Sequence, residues 1–342
     1  MKKWLQYQIE NKDKTMPILT FPIVQKMNIS VLDFIKSSKF QAEGMKRIAQ
    51  DFPTSASLSC MDLSIEAEAF GAKIKFDLDE IPTVIGSIIK NGEDVDNLTL
   101  PPVGAGRSGL SLESISKAKS LIKDKPIFAG VIGPFSLAGR LMDMTEVMIN
   151  CYEEPEMVHK TLKLCSQFII NYIKRLKEAG ADGVVMAEPA AGLLSPAICE
   201  EFSSSYIKQI VLEVEDEEFI FIYHNCGNVI PLAQDLIKIN ADVYHFGNAI
   251  DIEEMLKIMP KDKIIMGNIN PVLLKDSTPE KIKSEVKFLL DRCSPYPNFI
   301  ISTGCDLPPL TKWENIQAYF DTIKDYYNKE KKWNQKKEFT GL

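Results

Sequence analysis

Phe219-Ile-Phe-Ile-Tyr-His-Asn-Cys-Gly-Asn228 opens with five apolar, β-favouring residues, ends in His224 and Cys226, and is broken by Gly227. An uninterrupted apolar run of this length reads as a parallel strand covered on both faces, because a strand with one wet face would alternate. Similar runs recur on either side of it. Upstream they fall at 126–131 and 183–187, and downstream at 243–246, 263–266 and 299–302. Between them lie amphipathic segments with helical spacing at 114–122, 156–179, 197–214, 230–239, 252–259 and 278–293, and a last one follows at 313–327. Two earlier runs, 16–21 and 55–60, bring the strand count to eight. Eight strands alternating with helices predict an α/β chain folded as a (β/α)8 TIM barrel. No glycine-rich dinucleotide fingerprint follows any strand, which argues against an open doubly wound sheet.

The flanks complete the expected architecture. Residues 1–15 read as a polar helical lead-in, 31–49 as an amphipathic helix, and 72–99 as a small antiparallel insertion. No linker interrupts the pattern, so residues 1–342 are expected to form a single domain with a frayed, Lys-rich tail at 328–342.

The 342 residues are 45% apolar and 25% charged, ordinary for a globular chain, and the net charge is -7. An acidic chain lacks the basic field that collects phosphates, so no nucleic-acid partner is expected. The polar N-terminus gives no secretory signal, and no apolar run approaches the roughly 18 residues of a membrane span. A cytoplasmic protein with no membrane partner is therefore expected. Seven cysteines in such a chain are not a disulfide framework; each should be buried, catalytic or metal-bound. Cys151, Cys165 and Cys199 lie in helical segments and read as small hydrophobes. Cys226 and Cys305 differ, because each follows an apolar run and abuts a glycine.

In a barrel of this kind the carboxyl ends of the strands converge on one mouth. The residues found there are Gly133-Pro-Phe-Ser136, Glu188-Pro189, His224, Cys226, Asn248, Asn268 to Asn270, and Cys305-Asp306. His224 and Cys226 are two apart, which in extended chain puts both side chains on one face. With Cys305 they make three zinc ligands and an open fourth position, the pattern of a catalytic rather than a structural site. Glu188 needs a partner if buried. It is expected as a catalytic residue, either a fourth zinc ligand that substrate displaces or an acceptor behind His224; the alternative is a salt bridge at the rim. His159 reads as a surface residue on its helix. His245 faces either the mouth or the core, and the core is the expectation.

Together, Gly133-Pro-Phe-Ser-Leu-Ala-Gly139, Glu188-Pro-Ala-Ala-Gly-Leu-Leu-Ser-Pro196, His224-Asn-Cys-Gly-Asn228, Met266-Gly-Asn-Ile-Asn-Pro271 and Thr303-Gly-Cys-Asp-Leu-Pro-Pro309 resemble the zinc methyltransferases of the uroporphyrinogen decarboxylase superfamily, in particular the methylcobamide:coenzyme M methyltransferases. The resemblance spans about residues 17–327. It implies a (β/α)8 barrel, zinc on His224, Cys226 and Cys305, and a methylcorrinoid donor carried by a separate corrinoid protein. The chemistry it implies is attack of a small thiol, as thiolate, on the corrinoid methyl group, leaving a thioether and Co(I). Within the same class the acceptor could be a pterin such as tetrahydrofolate, or a methyl donor could load the corrinoid. A non-catalytic corrinoid-protein partner or a zinc-dependent binding module is the rival from another class. For coenzyme M, Arg140 is the candidate sulfonate contact. The decarboxylase branch binds a substrate with eight carboxylates and needs converging arginines. Here arginine occurs only at 47, 107, 140, 175 and 292, and Phe21-Pro-Ile-Val-Gln25 stands where an Arg-rich segment would be expected.

Overall fold

The computed structural model describes residues 2–340, with side chains to residue 329. Seven parallel strands form one curled sheet in the order β1 (Ser57–Leu58), β4 (Ile127–Ile132), β5 (Gly183–Ala187), β6 (Ile220–Asn225), β7 (Val243–Phe246), β8 (Ile264–Ile269) and β9 (Phe299–Thr303). The remaining two, β2 (Lys73–Lys75) and β3 (Thr83–Ile85), pair antiparallel in the expected insertion. A helical lead-in, Lys3–Glu10, precedes them all. The chain is thus an α/β barrel of the expected class, with helices outside the parallel sheet.

The expected strand at 16–21 is not a strand. Residues 15–20 run extended and buried between β9 and β1, where an eighth strand would lie, but they join no backbone ladder. Pro17 has no N–H to give. Side chains make many of the links instead: Ser302 Oγ donates to the Met16 carbonyl at 2.7 Å, and the Ile18 N–H donates to Thr303 Oγ1 at 3.0 Å. On the far edge the Ser55 N–H donates to the Thr15 carbonyl at 2.9 Å.

Alternate residues of the strands point into the barrel. Phe128, Val185, Ala187, Ile220, Ile222, Val243, Ile264, Met266 and Ile300 form a separate interior cluster, closed from below by Trp4 of the lead-in helix. Trp4 meets Phe128 edge-on, with ring centroids 4.9 Å apart. The opposite strand faces join the helices in the outer core. Two expected helices are divided and a third runs longer than expected. The segment 31–49 divides into Val31–Ile35 and Ser38–Asp51, because the Ser37 hydroxyl caps the second helix at the Phe40 N–H. The segment 197–214 divides into Pro196–Cys199, a wide turn over Glu200–Ser204, and Ser205–Val214. The last helix spans Trp313–Thr340, so the stretch from Asn328, expected to fray, is helical as far as Thr340. Residues 341 and 342 lie outside the described residues. No helix among the described residues is long and apolar enough to cross a membrane.

Candidate metal centre

Parity carries the interior face upward into the site. Along β6 the inward positions run Ile220, Ile222, His224; along β7 they run Val243, His245; along β9 they run Ile300, Ser302. The register sets His224 beside His245. A polar layer of two imidazoles and a hydroxyl therefore caps the apolar interior at the carboxyl end of the sheet.

Cys226 follows β6 by one residue and Cys305 follows β9 by two. A ring nitrogen of His224 and the sulfurs of Cys226 and Cys305 lie within 4.8 Å of one another. This is the one group of three or more such ligands found among the described residues. Two glycines permit the approach. A Cβ on Gly247 would stand 2.5 Å from Cys226 Cα, and one on Gly304 would stand 2.9 Å from the Asn248 nitrogen.

The charge balance singles out the pair of sulfurs. All seven cysteines are free, and Cys226 and Cys305 are half-buried where the other five are buried. Burial pushes the thiols of Cys60, Cys151, Cys165, Cys199 and Cys293 up. Cys226 goes the other way, lowered by a hydrogen bond from Cys305 and by His224. The Cys305 thiol, as the donor of that bond, is raised. His245, fully buried and beside a second imidazole, is pushed well below the usual imidazole range. One imidazole and two sulfurs suit a thiophilic divalent ion. Tetrahedral zinc with bonds of about 2.0–2.3 Å spaces its ligand atoms by about 3.5–3.8 Å. The three side chains would have to close by no more than about 1 Å to meet that spacing.

Glu188 is not brought into this group. Its carboxylate is buried and turned toward the helix Pro134–Met142, where it accepts from the backbone N–H groups of Phe135 and Ser136 at 3.0 and 2.6 Å. A carboxylate at a helix N-terminus satisfies donors that have no partner within the helix. Burial still pushes it up to about 7. Asn225, between the two β6 ligands, donates to the Glu188 carbonyl at 2.6 Å and accepts from the Gly227 N–H at 2.8 Å. The asparagines of the mouth are spent on backbone as well: Asn268 donates to the carbonyls of Gly247 and Ile250, and Asn270 caps Pro271–Asp276. Asp306, next to Cys305, accepts from Thr20 Oγ1 and is pushed up to about 8 by burial. His159 is half-buried, stacked on Phe202 and hydrogen-bonded to Tyr206 at 2.8 Å. Asn225 and Ser302 were not singled out in the sequence. Their signal, position at or next to a strand end on the ligand-bearing strands, is weak without the register.

The arginines do not converge on the mouth. Arg107 is held by Asp62 and Glu68, Arg47 by Glu43, Arg175 by Glu178, and Arg292 by Asp251 and Glu253. Arg140 is the one arginine with no carboxylate against it among the described residues.

The sequence model of a family described as "Uroporphyrinogen decarboxylase (URO-D)" matches residues 18–326. The methylcobamide:CoM methyltransferase MtbA of Methanosarcina acetivorans is 31% identical over 270 residues, 78% of each chain. A uroporphyrinogen decarboxylase of Coxiella burnetii is 24% identical over 315 residues, 87% of this chain and 85% of the relative. Among solved structures, a methyltransferase from Methanosarcina mazei superposes with a TM-score of 0.83 at 21% identity, covering 94% of this chain and 99% of the other.

Proposed function

The chain belongs to the uroporphyrinogen decarboxylase family, and from that premise we propose that it is a zinc-dependent methyltransferase. It moves a methyl group from a methylated corrinoid, carried by a partner corrinoid protein, to a small thiol such as coenzyme M. The observation that carries the proposal is the meeting of His224, Cys226 and Cys305 within 4.8 Å at the barrel mouth. The name of the Methanosarcina relative points the same way. The decarboxylase reading is disfavoured by the arginines, four of which are neutralised by the chain's own carboxylates.

Zinc at this site would supply a Lewis acid that keeps a bound thiol ionised near neutral pH, where a free thiol with a pKa of about 8.5 is largely protonated. The chain's own part is to set charge and access. Two sulfurs and one imidazole bring the site close to neutrality, which preserves the nucleophilicity of an incoming sulfur. Ile222, Val243, Met266 and Ile300 close the interior behind the ligands, so reactants enter from the mouth. In the balanced transfer, the acceptor sulfur gains the methyl group as a thioether, and the electron pair of the cobalt–carbon bond stays with the corrinoid as Co(I). Glu188 supports the site at a distance by fixing the start of Pro134–Met142.

Metal analysis combined with methylcobalamin turnover tests the proposal, with coenzyme M, homocysteine and tetrahydrofolate as separate acceptors. One zinc per chain and turnover with a thiol are expected, and Cys305→Ala should lose both. Full activity in metal-free protein ends the idea, and turnover with tetrahydrofolate alone reassigns the acceptor.

A further inference from the structure

Three groups behind the candidate ligand His224 form with it an unbroken line of hydrogen bonds. Its far end is the carbonyl of Met16, in the buried extended segment between β9 and β1. Ser302 Oγ lies 2.7 Å from that carbonyl, and His245 Nε2 lies 2.9 Å from Ser302 Oγ. His245 Nδ1 lies 2.8 Å from His224 Nδ1, which also stands 3.2 Å from the His245 carbonyl.

The direction of every bond follows from the ends. A carbonyl oxygen can only accept, and Met16 is fully buried, so the single Ser302 proton goes to it. The Ser302 oxygen is then left to accept, which requires a proton on His245 Nε2. His245 is fully buried and has no carboxylate within ion-pair distance among the described residues, so it is neutral and its Nδ1 carries a lone pair. That lone pair requires a proton on His224 Nδ1. The His245 carbonyl, facing the same nitrogen, independently requires the same proton. His224 Nε2 therefore bears the free lone pair, on the side away from His245.

We propose that His245 and Ser302 are positioning residues that lock His224 in the tautomer protonated on Nδ1, with the Nε2 lone pair presented to the site of Cys226 and Cys305. The assignment of a metal to that site rests on the functional reading above; the tautomer itself does not. A free imidazole exchanges between two tautomers and rotates about its side-chain bonds. Here both freedoms are removed before any ligand arrives, from a backbone carbonyl three hydrogen bonds away. Groups that orient a metal-ligating imidazole typically contribute about 10–100-fold in metal affinity.

The chain has three histidines, so long-range 15N–1H imidazole spectra of the metal-free protein are assignable by single substitutions. His224 is expected as the Nδ1–H tautomer in the wild type and as a tautomer mixture in Ser302→Ala and His245→Leu. Zinc affinity, measured by competition with a chromophoric chelator, should fall by about 10–100-fold in both variants. His245→Asn, whose side-chain oxygen can stand near the Nδ1 position, should recover most of it. Ser302→Ala removes one hydroxyl only, so it reports even if His245→Leu fails to fold. An Nε2–H tautomer of His224 in the wild type overturns the proposal, as does wild-type zinc affinity in Ser302→Ala. If wild type binds no zinc yet shows the Nδ1–H tautomer, the positioning inference stands and the metal reading fails.

Discussion

Gly247→Ala should weaken the candidate metal centre without replacing a ligand. Gly247 follows β7 by one residue and packs on the loop that carries Cys226. An added Cβ would lie 2.5 Å from Cys226 Cα, 2.8 Å from its Cβ and 2.9 Å from its carbonyl oxygen. Carbon atoms in contact settle at about 3.5–4.0 Å, so the two loops must part by about 1 Å. The obstructing atoms are mostly backbone, and no flexible side chain can swing aside. Overpacking of this kind costs about 1–3 kcal/mol. The site suffers more than the fold, because metal–ligand distances tolerate only about 0.2 Å. We expect zinc affinity to fall by about 10–100-fold, the loss usual when the support of a metal ligand is altered, with a smaller change in the urea midpoint of the metal-free protein. Chelator competition and urea unfolding measure the two effects separately. Gly92→Ala is the control: nothing lies within 4 Å of its added Cβ, and it sits in the first turn of Gly92–Asn97. It should be neutral or slightly stabilising, by up to about 1 kcal/mol. Wild-type zinc affinity in Gly247→Ala would refute the view that close approach of the β6 and β7 exits places Cys226.

The same burial argument predicts a pH dependence. Burial raises the Glu66 carboxyl from 4.5 to about 7, so the folded chain holds a proton that the unfolded chain has released; stability should fall as pH rises between those values and level off above them. Glu66→Gln should remove that part of the slope and be the more stable protein at pH 8, by up to about 3 kcal/mol, in urea titrations at pH 5 and pH 8. Glu188 and Asp306 contribute slopes of the same sign and His245 one of the opposite sign, so the readout is the difference between variant and wild type. Glu188→Ala, in turn, leaves the N–H groups of Phe135 and Ser136 without their buried acceptor and should cost about 1–3 kcal/mol for each. It should keep the metal-to-protein ratio of wild type; a variant that folds normally but loses its metal would make Glu188 a ligand.

The barrel was legible because strands buried on both faces leave continuous apolar runs, and β4 to β9 all do so. The candidate trio His224, Cys226 and Cys305, which the structure brings together, is legible because all three stand at or just past strand ends, where polar or reactive residues are not needed for packing. The segment 16–20 was misread because apolarity and length do not report hydrogen bonding. Met16, Ile18 and Leu19 are as buried as any strand residue, yet Pro17 cannot complete a ladder. The break at Ser37 was hidden for a related reason: the apolar spacing continues through it while a hydroxyl competes for the helix N–H groups. Glu188 stands one residue past the inward-facing Ala187, so alternation turns its carboxylate to the neighbouring helix, a direction that its place at a strand end does not by itself convey. His245 was placed in the core, and it is there; that it also touches His224 depends on sheet register, which a single strand does not encode.

Sheet curvature explains why three ligands so far apart in sequence can meet. Between β6 and β9 stand β7 and β8, and strands are spaced by about 4.8 Å, so a flat sheet would hold the two cysteine-bearing exits about 14 Å apart. The sulfurs nevertheless lie within 4.8 Å of each other. The curl of the sheet and the inward turn of the loops at Gly247 and Gly304 together close that distance. The curl is itself fixed partly by the segment at 15–20, whose Met16 carbonyl also ends the hydrogen-bonded line to His224. The segment that fills the eighth position thus also ends the line that orients the imidazole.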